Sequence, residues 1–226
     1  MTTKRSLLLA ALLSGSVLVP GPAAAQDVSA QRPPNSLKAA LLAPSDLGEE
    51  EFARRGYRTR GLLNPAFTHT KSCAAAVKSI APVYRTKVSA GLKHKDRWEG
   101  ISEYIVSGTS RELSALERAA KDVIRHCSKT TIKTSASREI IRTLSIGRLG
   151  DGAYGVRFRS GLVNSKLESD ATMSGMMVAI DIVIIRVRNV MIALEHDGNV
   201  DQFDPELTRT AARLAVARLR ETAQGG

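Results

Sequence analysis

Residues 176–195, MMVAIDIVIIRVRNVMIALE, are the most apolar part of the chain outside its N-terminus. β-Branched side chains dominate this stretch and favour a strand over a helix: Val178, Ile182, Val183, Ile184, Ile185, Val187 and Val190. Arg188-Asn189 interrupts it and predicts a tight turn, because Asn tolerates the left-handed backbone region. The pattern predicts a hairpin of two strands, 177–187 and 190–195, at the centre of a sheet.

A membrane-spanning helix is the alternative interpretation of such an apolar stretch, because a span needs about 20 apolar residues with few charges. Asp181, Arg186 and Arg188 lie near its middle, where a charge is costly in lipid. We therefore expect no transmembrane segment in the mature chain.

The first 25 residues have the three-part layout of a secretory signal peptide. Lys4 and Arg5 precede an apolar run over 7–19, and three alanines end the segment at Ala25. The alternative is an uncleaved anchor, but the run is short for a span. Residues 26–36 are polar with a proline pair, which predicts a disordered linker. The protein is therefore expected to be secreted or extracytoplasmic.

The remaining residues, 37–223, are enough for one domain with a substantial core. Periodic apolar residues predict helices over 72–80 and 109–127, the second with a capping box of Thr109 and Glu112, and a last helix from Pro205. Further strands are expected over 57–63, 84–92, 97–106, 130–144 and 154–162. Short links without βαβ alternation indicate an α+β fold, a mainly antiparallel twisted sheet of about six or seven strands flanked by helices.

Cys73 and Cys127 are the two cysteines of the chain, and each lies on the apolar face of a predicted helix. Both helices must bury that face against the same sheet, and neighbouring helix axes lie about 8–10 Å apart. An exported protein meets oxidising conditions, so the pair predicts a disulfide. Two buried thiols are the alternative.

The formal net charge of +11 falls to +9 when a cleaved leader removes Lys4 and Arg5. Such a surface favours polyanions or an anionic cell envelope, although solubility alone also explains it. The outward arginines Arg157, Arg159, Arg186 and Arg188 would make a basic face if their strands are neighbours. Few aromatic residues accompany them, so nucleic-acid binding is not expected.

The four histidines do not have the spacing of a zinc finger or an HExxH motif. His196 and Asp197 are adjacent in a strand and point to opposite faces, so they cannot form a triad pair. We expect no catalytic residues, metal or cofactor. A secreted hydrolase remains an alternative, which requires a histidine bonded to a Ser, Cys or carboxylate inside a concave pocket.

Asp181 is a carboxylate inside an apolar strand and therefore needs a partner or a pKa shift. Arg157, Arg159 or Arg186 on a neighbouring strand can supply the partner; a polar group lining a cleft is the functional alternative. Candidate ligand-lining residues besides Asp181 are the aromatic residues Trp98, Tyr104, Tyr154 and Phe158, which are otherwise core residues.

Several segments in order resemble the PknH-like extracellular sensor domains of actinobacteria. They are LKAALLAPSDLG at 37–48, the helix of Cys73, the strand around Trp98, the helix ending at Cys127, and IDIVIIRVRNVMIAL at 180–194 before the last helix. The resemblance implies a helix-flanked antiparallel sheet whose cleft binds an unidentified extracytoplasmic small molecule or cell-envelope component. Kinase-linked members tend to carry two disulfides, whereas this sequence has two cysteines and no kinase domain before residue 37. Ligand binding, rather than kinase signalling, is therefore what we expect to carry over.

Overall fold

Eight antiparallel strands form a single sheet in the computed structural model, which describes residues 34–54, 61–63, 65–86, 88–162 and 178–224. The strand order is β1-β2-β3-β8-β7-β6-β5-β4. The strands are β1 (Phe52–Arg54), β2 (Ser89–His94), β3 (Glu99–Ser107), β4 (Thr131–Lys133), β5 (Ser137–Thr143), β6 (Gly152–Leu162), β7 (Val178–Val187) and β8 (Val190–Asn199). The α+β class is confirmed, with slightly more strands than predicted.

The predicted central hairpin is confirmed as β7 and β8, which occupy the middle of the sheet. β8 runs four residues beyond its predicted end, to Asn199. The left-handed residue of the turn is Arg188, with φ of 53°, and not Asn189. The Arg188 backbone N–H donates to Asp151 Oδ2, and this contact helps to hold the turn.

In the described part of the chain, five helices flank the sheet: α1 (Pro34–Ala39), α2 (Pro44–Leu47), α3 (Lys71–Ile80), α4 (Ser110–Cys127) and α5 (Pro205–Gln224). We call the face under α5 the α5 side and the opposite face the α3–α4 side. On the α5 side, Ile101, Val183, Ile185 and Ile192 pack with α1 and α5; on the other side, Phe158, Ile180, Ile182 and Met191 pack with α3 and α4. Alternate residues of β7 thus enter different cores, which explains its nearly unbroken apolar sequence.

The two helices of the α3–α4 side begin at side-chain caps. Thr70 accepts a hydrogen bond from the Cys73 backbone, and Thr109 and Glu112 form the predicted capping box of α4. Cys73 and Cys127 form a disulfide with their Cα atoms 5.0 Å apart, as predicted. The bond joins the first turn of α3 to the last turn of α4.

Three predicted elements differ from the structure. Residues 61–63 of the predicted strand 57–63 form a 3₁₀ turn, while 55–60 lie outside the described residues; a Cβ at Gly61 would overlap the Glu195 carboxylate. The predicted strand 84–92 starts only at Ser89, after a 3₁₀ turn over Ala81–Arg85. The segment 130–144 splits into β4 and β5, because Thr134 Oγ1 accepts from the backbone of Ala136 and Ser137.

The predicted signal peptide and most of the predicted linker lie outside the described residues, and the linker's last three residues begin α1. Within the described ranges, none of the helices has the length and apolar content needed to cross a bilayer.

Candidate functional site

The predicted ligand-lining residues do not come together at one place. Tyr104 and Phe158 are buried in the core of the α3–α4 side, and Tyr154 is half-buried there. Trp98 is 45% exposed, in the bend before β3. Asp181 is fully buried on the α5 side, where it contacts Thr208 of α5. A single cleft cannot be lined by all five.

A pocket of about 630 Å³ lies instead between the end of α3, the first half of α4 and the end of β3. Its apolar residues are Pro82, Val106, Leu113, Ala115, Leu116 and Ala119; its polar residues are Ser79, Ser107, Glu112, Arg118 and Asp122. Residues that end or begin elements border this pocket. Pro82 lies just beyond the end of α3, and Gly108 connects β3 to Thr109, the N-cap residue of α4.

The charged groups of the pocket lining all belong to α4. Hydrogen bonds from the Thr109 backbone N–H and hydroxyl hold the pKa of Glu112 below its ordinary value. This carboxylate is therefore charged and fixed at the helix N-terminus. Arg118 and Asp122 are exposed at other parts of the lining. The arrangement suits a ligand with an apolar body and a polar end.

A second group of α4 contacts fixes the helix to the sheet. Glu117 accepts from Tyr154 at 2.6 Å, Arg186 at 2.8 Å and Lys121 at 2.9 Å. These three hydrogen bonds lower the pKa of Glu117 to about 2. Tyr154 thus positions α4 and does not line the 630 Å³ pocket.

Asp181 is the centre of a cross-strand polar cluster on the α5 side. Arg157 donates to both carboxylate oxygens at 2.8 and 2.6 Å, and Arg159 donates to Oδ1 at 3.1 Å. Thr208 Oγ1 donates to Oδ2 at 3.1 Å. The cross-strand pair expected for Asp181 is therefore formed, and two arginines supply it; Arg186 bonds Glu117 instead.

His196 continues this cluster into the interior. Its Nδ1 lies 2.8 Å from Thr208 Oγ1 and its Nε2 lies 3.1 Å from Glu99 Oε1. Burial alone would raise the pKa of Glu99, but hydrogen bonds from His196 and the Asp204 backbone bring it below its ordinary value. The order Glu99–His196–Thr208–Asp181 links β3, β8, α5 and β7.

The arrangement Glu99–His196–Thr208 superficially resembles an acid–base–nucleophile triad. Thr208 and His196 are each only 1% exposed, however, and the Thr208 hydroxyl donates to Asp181. The 630 Å³ pocket is not lined by these residues. These contacts fix the position of α5 on the sheet. Sequence reasoning missed Glu99 and Thr208, because their meeting depends on strand register and helix docking.

The other described histidines are dispersed. His94 Nδ1 accepts from the backbone of Asp96 and Arg97, and His69 and His126 are exposed. Across the described ranges, His, Cys, Asp and Glu side chains do not gather in a group of three that could hold a metal ion.

Two buried glutamates were also missed. Glu103 accepts from the Leu42 backbone at 2.6 Å on the α5 side, and Glu195 accepts from Leu62 at 3.4 Å on the α3–α4 side. Burial raises the pKa of each to about 8. Strands with apolar residues on both faces are the sequence signal for such groups, since either face then buries a carboxyl.

The predicted basic face of Arg157, Arg159, Arg186 and Arg188 is wrong as a set. Arg157 and Arg159 lie on the α5 side with Asp181. Arg186 points to the α3–α4 side, where it bonds Glu117 and Ser114. Arg188 occupies the hairpin turn. Successive side chains of a strand point to opposite faces of the sheet, and the prediction placed these four arginines on one face without taking that alternation into account.

Comparison with solved structures shows a distant likeness in fold. No protein-family model matches the chain, and no curated protein matches it. The crystal structure of the extracellular domain of PknH from Mycobacterium tuberculosis is similar at a TM-score of 0.49 and 12% sequence identity, over 84% of this chain and 98% of that one. These values do not assign the chain to the PknH-like family.

Proposed function

We propose that this protein is an exported, non-catalytic sensor-type module that binds an extracytoplasmic ligand beside the sheet, in the pocket between α3 and α4. The observation that carries the proposal is the pocket itself: about 630 Å³, with mainly apolar walls and a few charged groups. This volume is in the range of small-molecule sites, about 300–1,000 Å³.

Two features support an extracytoplasmic location. The first 25 residues have the layout of a secretory signal peptide. The Cys73–Cys127 disulfide belongs to the chemistry of oxidising compartments. It also joins the two helices that border the pocket, so the same compartment that oxidises the thiols stabilises the proposed site.

The lining favours binding over catalysis. Ser79 and Ser107 contribute hydroxyls, but the lining residues that the structure describes include no histidine or lysine to activate them. The Glu112 carboxylate already accepts two hydrogen bonds from Thr109 in the α4 cap. A small envelope-derived molecule with an apolar body fits this chemistry best, with Arg118 available to an anionic end.

Anilinonaphthalene sulfonate, which has an apolar ring system and one anionic group, is a suitable first probe. Ala115 is exposed and lines the pocket, so Ala115→Trp fills the pocket without disturbing the core. We expect the variant to lose most of the probe's fluorescence enhancement. Ala217→Trp is the matched control, because Ala217 is an exposed alanine of α5 on the opposite side.

Equal probe fluorescence in the two tryptophan variants would place the probe elsewhere and contradict this pocket. The natural ligand is then sought with organic extracts of the cell envelope. An extract that raises the melting temperature of the wild type and of Ala217→Trp, but not of Ala115→Trp, supports the proposal. If every fraction shifts all three proteins equally, or shifts none, the binding function is rejected.

A further inference from the structure

Among the described residues, helices cover only part of the α5 side of the sheet. α5 lies over β7 and β8, where Ala211, Ala212 and Ala215 enter the core. α4 packs on β5, β6 and β7 from the opposite side. The α5 side of the sheet is therefore partly exposed at β4, β5 and the end of β6. We call this area the β4–β6 strip.

The β4–β6 strip carries mainly positive side chains. Opposite residues of an antiparallel pair share a face. The register pairs Lys133 with Arg138 and Arg142 with Arg157, so these four basic residues lie on the same face of the sheet as Arg159. Ile141 and Phe158 enter the opposite core, which fixes their neighbours on the α5 side. Among the described residues of these paired strands, Asp181 is the carboxylate on the same face, so the five basic residues and Asp181 sum to a charge of +4.

Contacts within the strip hold its guanidinium groups in place. One edge of the Arg157 guanidinium group donates two hydrogen bonds to Asp181. Arg159 donates to Asp181 and lies 4.5 Å from the centre of the Phe203 ring. Arg142 donates to the Thr130 carbonyl and to Thr131 Oγ1. Their side chains nevertheless remain accessible, with Arg157 30% and Arg159 21% exposed. Groups that are already ordered lose less entropy when they bind.

The spacing of the strip suits a repeating anion. Neighbouring strands lie about 4.8 Å apart, and alternate residues along a strand about 6.8 Å apart. A single small anion would reach one or two of these cations, whereas a linear polymer with one anionic group per unit reaches several. Guanidinium groups pair especially well with phosphate oxygens, because their planar fork donates two hydrogen bonds.

We propose that the β4–β6 strip binds a linear phosphate polymer of the cell envelope, through Lys133, Arg142, Arg157 and Arg159. The site is separate from the pocket of the α3–α4 side. It is a specific location for the polyanion association that the positive net charge of the chain favours. The one aromatic ring in these contacts, Phe203, already stacks on His196 at 4.1 Å, so a stacking platform for nucleic-acid bases is not offered here.

Fluorescently labelled linear polyphosphate is the test ligand, and its binding to the mature chain is followed by anisotropy between about 50 and 200 mM salt. The variant Lys133→Gln/Arg142→Gln removes two exposed charges of the strip. The control Arg111→Gln/Arg125→Gln removes two exposed charges of α4. Both variants have the same net charge, and thermal melting verifies that both are folded.

We expect the strip variant to bind roughly 20-fold more weakly at about 0.1 M salt, with a salt slope lower by about 1.4, since each lost phosphate contact removes about 0.7. The control should retain most of the affinity. Equal losses in both variants, or a loss in neither, would overturn the location.

Two further ligands of matched charge test the chemistry. Polyglutamate that binds as tightly as polyphosphate would overturn the assignment to phosphate. Tighter binding of oligothymidylate than of polyphosphate would mean that the strip is a nucleic-acid-binding site. Tighter binding of polyphosphate than of both supports the proposal.

Discussion

Glu103 and Glu195 are carboxyl groups buried on opposite sides of the same sheet, 1% and 2% exposed. Each accepts one backbone hydrogen bond from a segment that packs on the sheet, at Leu42 and Leu62. Within the described part of the chain, Glu103 Oε1 has no hydrogen-bond partner, an environment that favours the protonated form. Burial raises both pKa values from 4.5 to about 8, so both groups carry a proton in the folded protein over a pH range in which the unfolded chain has lost it.

The sign of the resulting pH dependence follows from the raised pKa values. The folded state binds the two protons more tightly, so their contribution to stability is complete below about pH 4.5 and declines as the pH rises to about 8. Glu103→Gln mimics the neutral carboxyl and should stabilise the protein above pH 8, with an upper limit of about 5 kcal/mol, while changing little near pH 4.5.

Urea unfolding from pH 4 to pH 9 measures this effect. The Glu103→Gln profile should be flatter than that of the wild type, and the double variant with Glu195→Gln should be flatter again. Glu49→Gln, a change at an exposed carboxyl, serves as the control. A Glu103→Gln profile parallel to the wild type would show that Glu103 does not contribute to the slope.

Asp181 provides a second prediction at the residue scale, because its charge compensates two arginines. Asp181→Asn keeps the shape but leaves Arg157 and Arg159 without their carboxylate. Removal of one partner of a buried ion pair costs about 3–5 kcal/mol, and we expect the low end because both arginines are partly exposed. Denaturant unfolding of Asp181→Asn, Arg157→Met and the double variant gives the coupling energy. A coupling near zero would contradict the cluster.

At the scale of elements, the disulfide determines how α3 and α4 pack. It closes a loop with a sequence separation of 54, which in the chain-entropy treatment stabilises the fold by about 4 kcal/mol. Cys73→Ala/Cys127→Ala should therefore lower the free energy of unfolding by an amount of this order. It should also weaken probe binding in the pocket that the two helices border. Reduction should raise the intact mass by about 2 Da, and two alkylatable thiols in unreduced, denatured protein would refute the bond.

The sequence correctly predicted the elements that are determined by residues close to one another in the chain. The Thr109/Glu112 box, the apolar face with Cys73 and Cys127, and the β7–β8 hairpin all depend on residues close in sequence. The 3₁₀ turn at Gly61 and the split between β4 and β5 were missed, since a tertiary contact with Glu195 and a side-chain turn at Thr134 decide them. The arginine pairing of Asp181 was predicted, but the lining of the pocket and the contacts of Glu99 and Thr208 in the polar cluster were missed, because they depend on strand register and helix docking.

For the whole molecule, the sheet is strongest at its centre and weakest at its edges. β7 and β8 each have ten residues and two neighbours, whereas the edge strands β1 and β4 have three residues each. Local opening free energies range from near zero to the global value. In hydrogen exchange we therefore expect the amides of Ile182–Ile185 and Met191–Leu194 to exchange last, and those of β1 and β4 first. Faster exchange in β8 than in β1 would contradict this order.

The strand order also has a consequence for biosynthesis. β8 is the last strand to be made, yet it joins β3 to β7. Until residues 190–199 leave the ribosome, β3 and β7 each present an open, apolar edge, and such edges are templates for aggregation. The interval between completion of β3 and of β8 is roughly ten seconds at ordinary elongation rates. During that time the chain cannot close its sheet by itself, because the strand that joins β3 to β7 has not yet been synthesised.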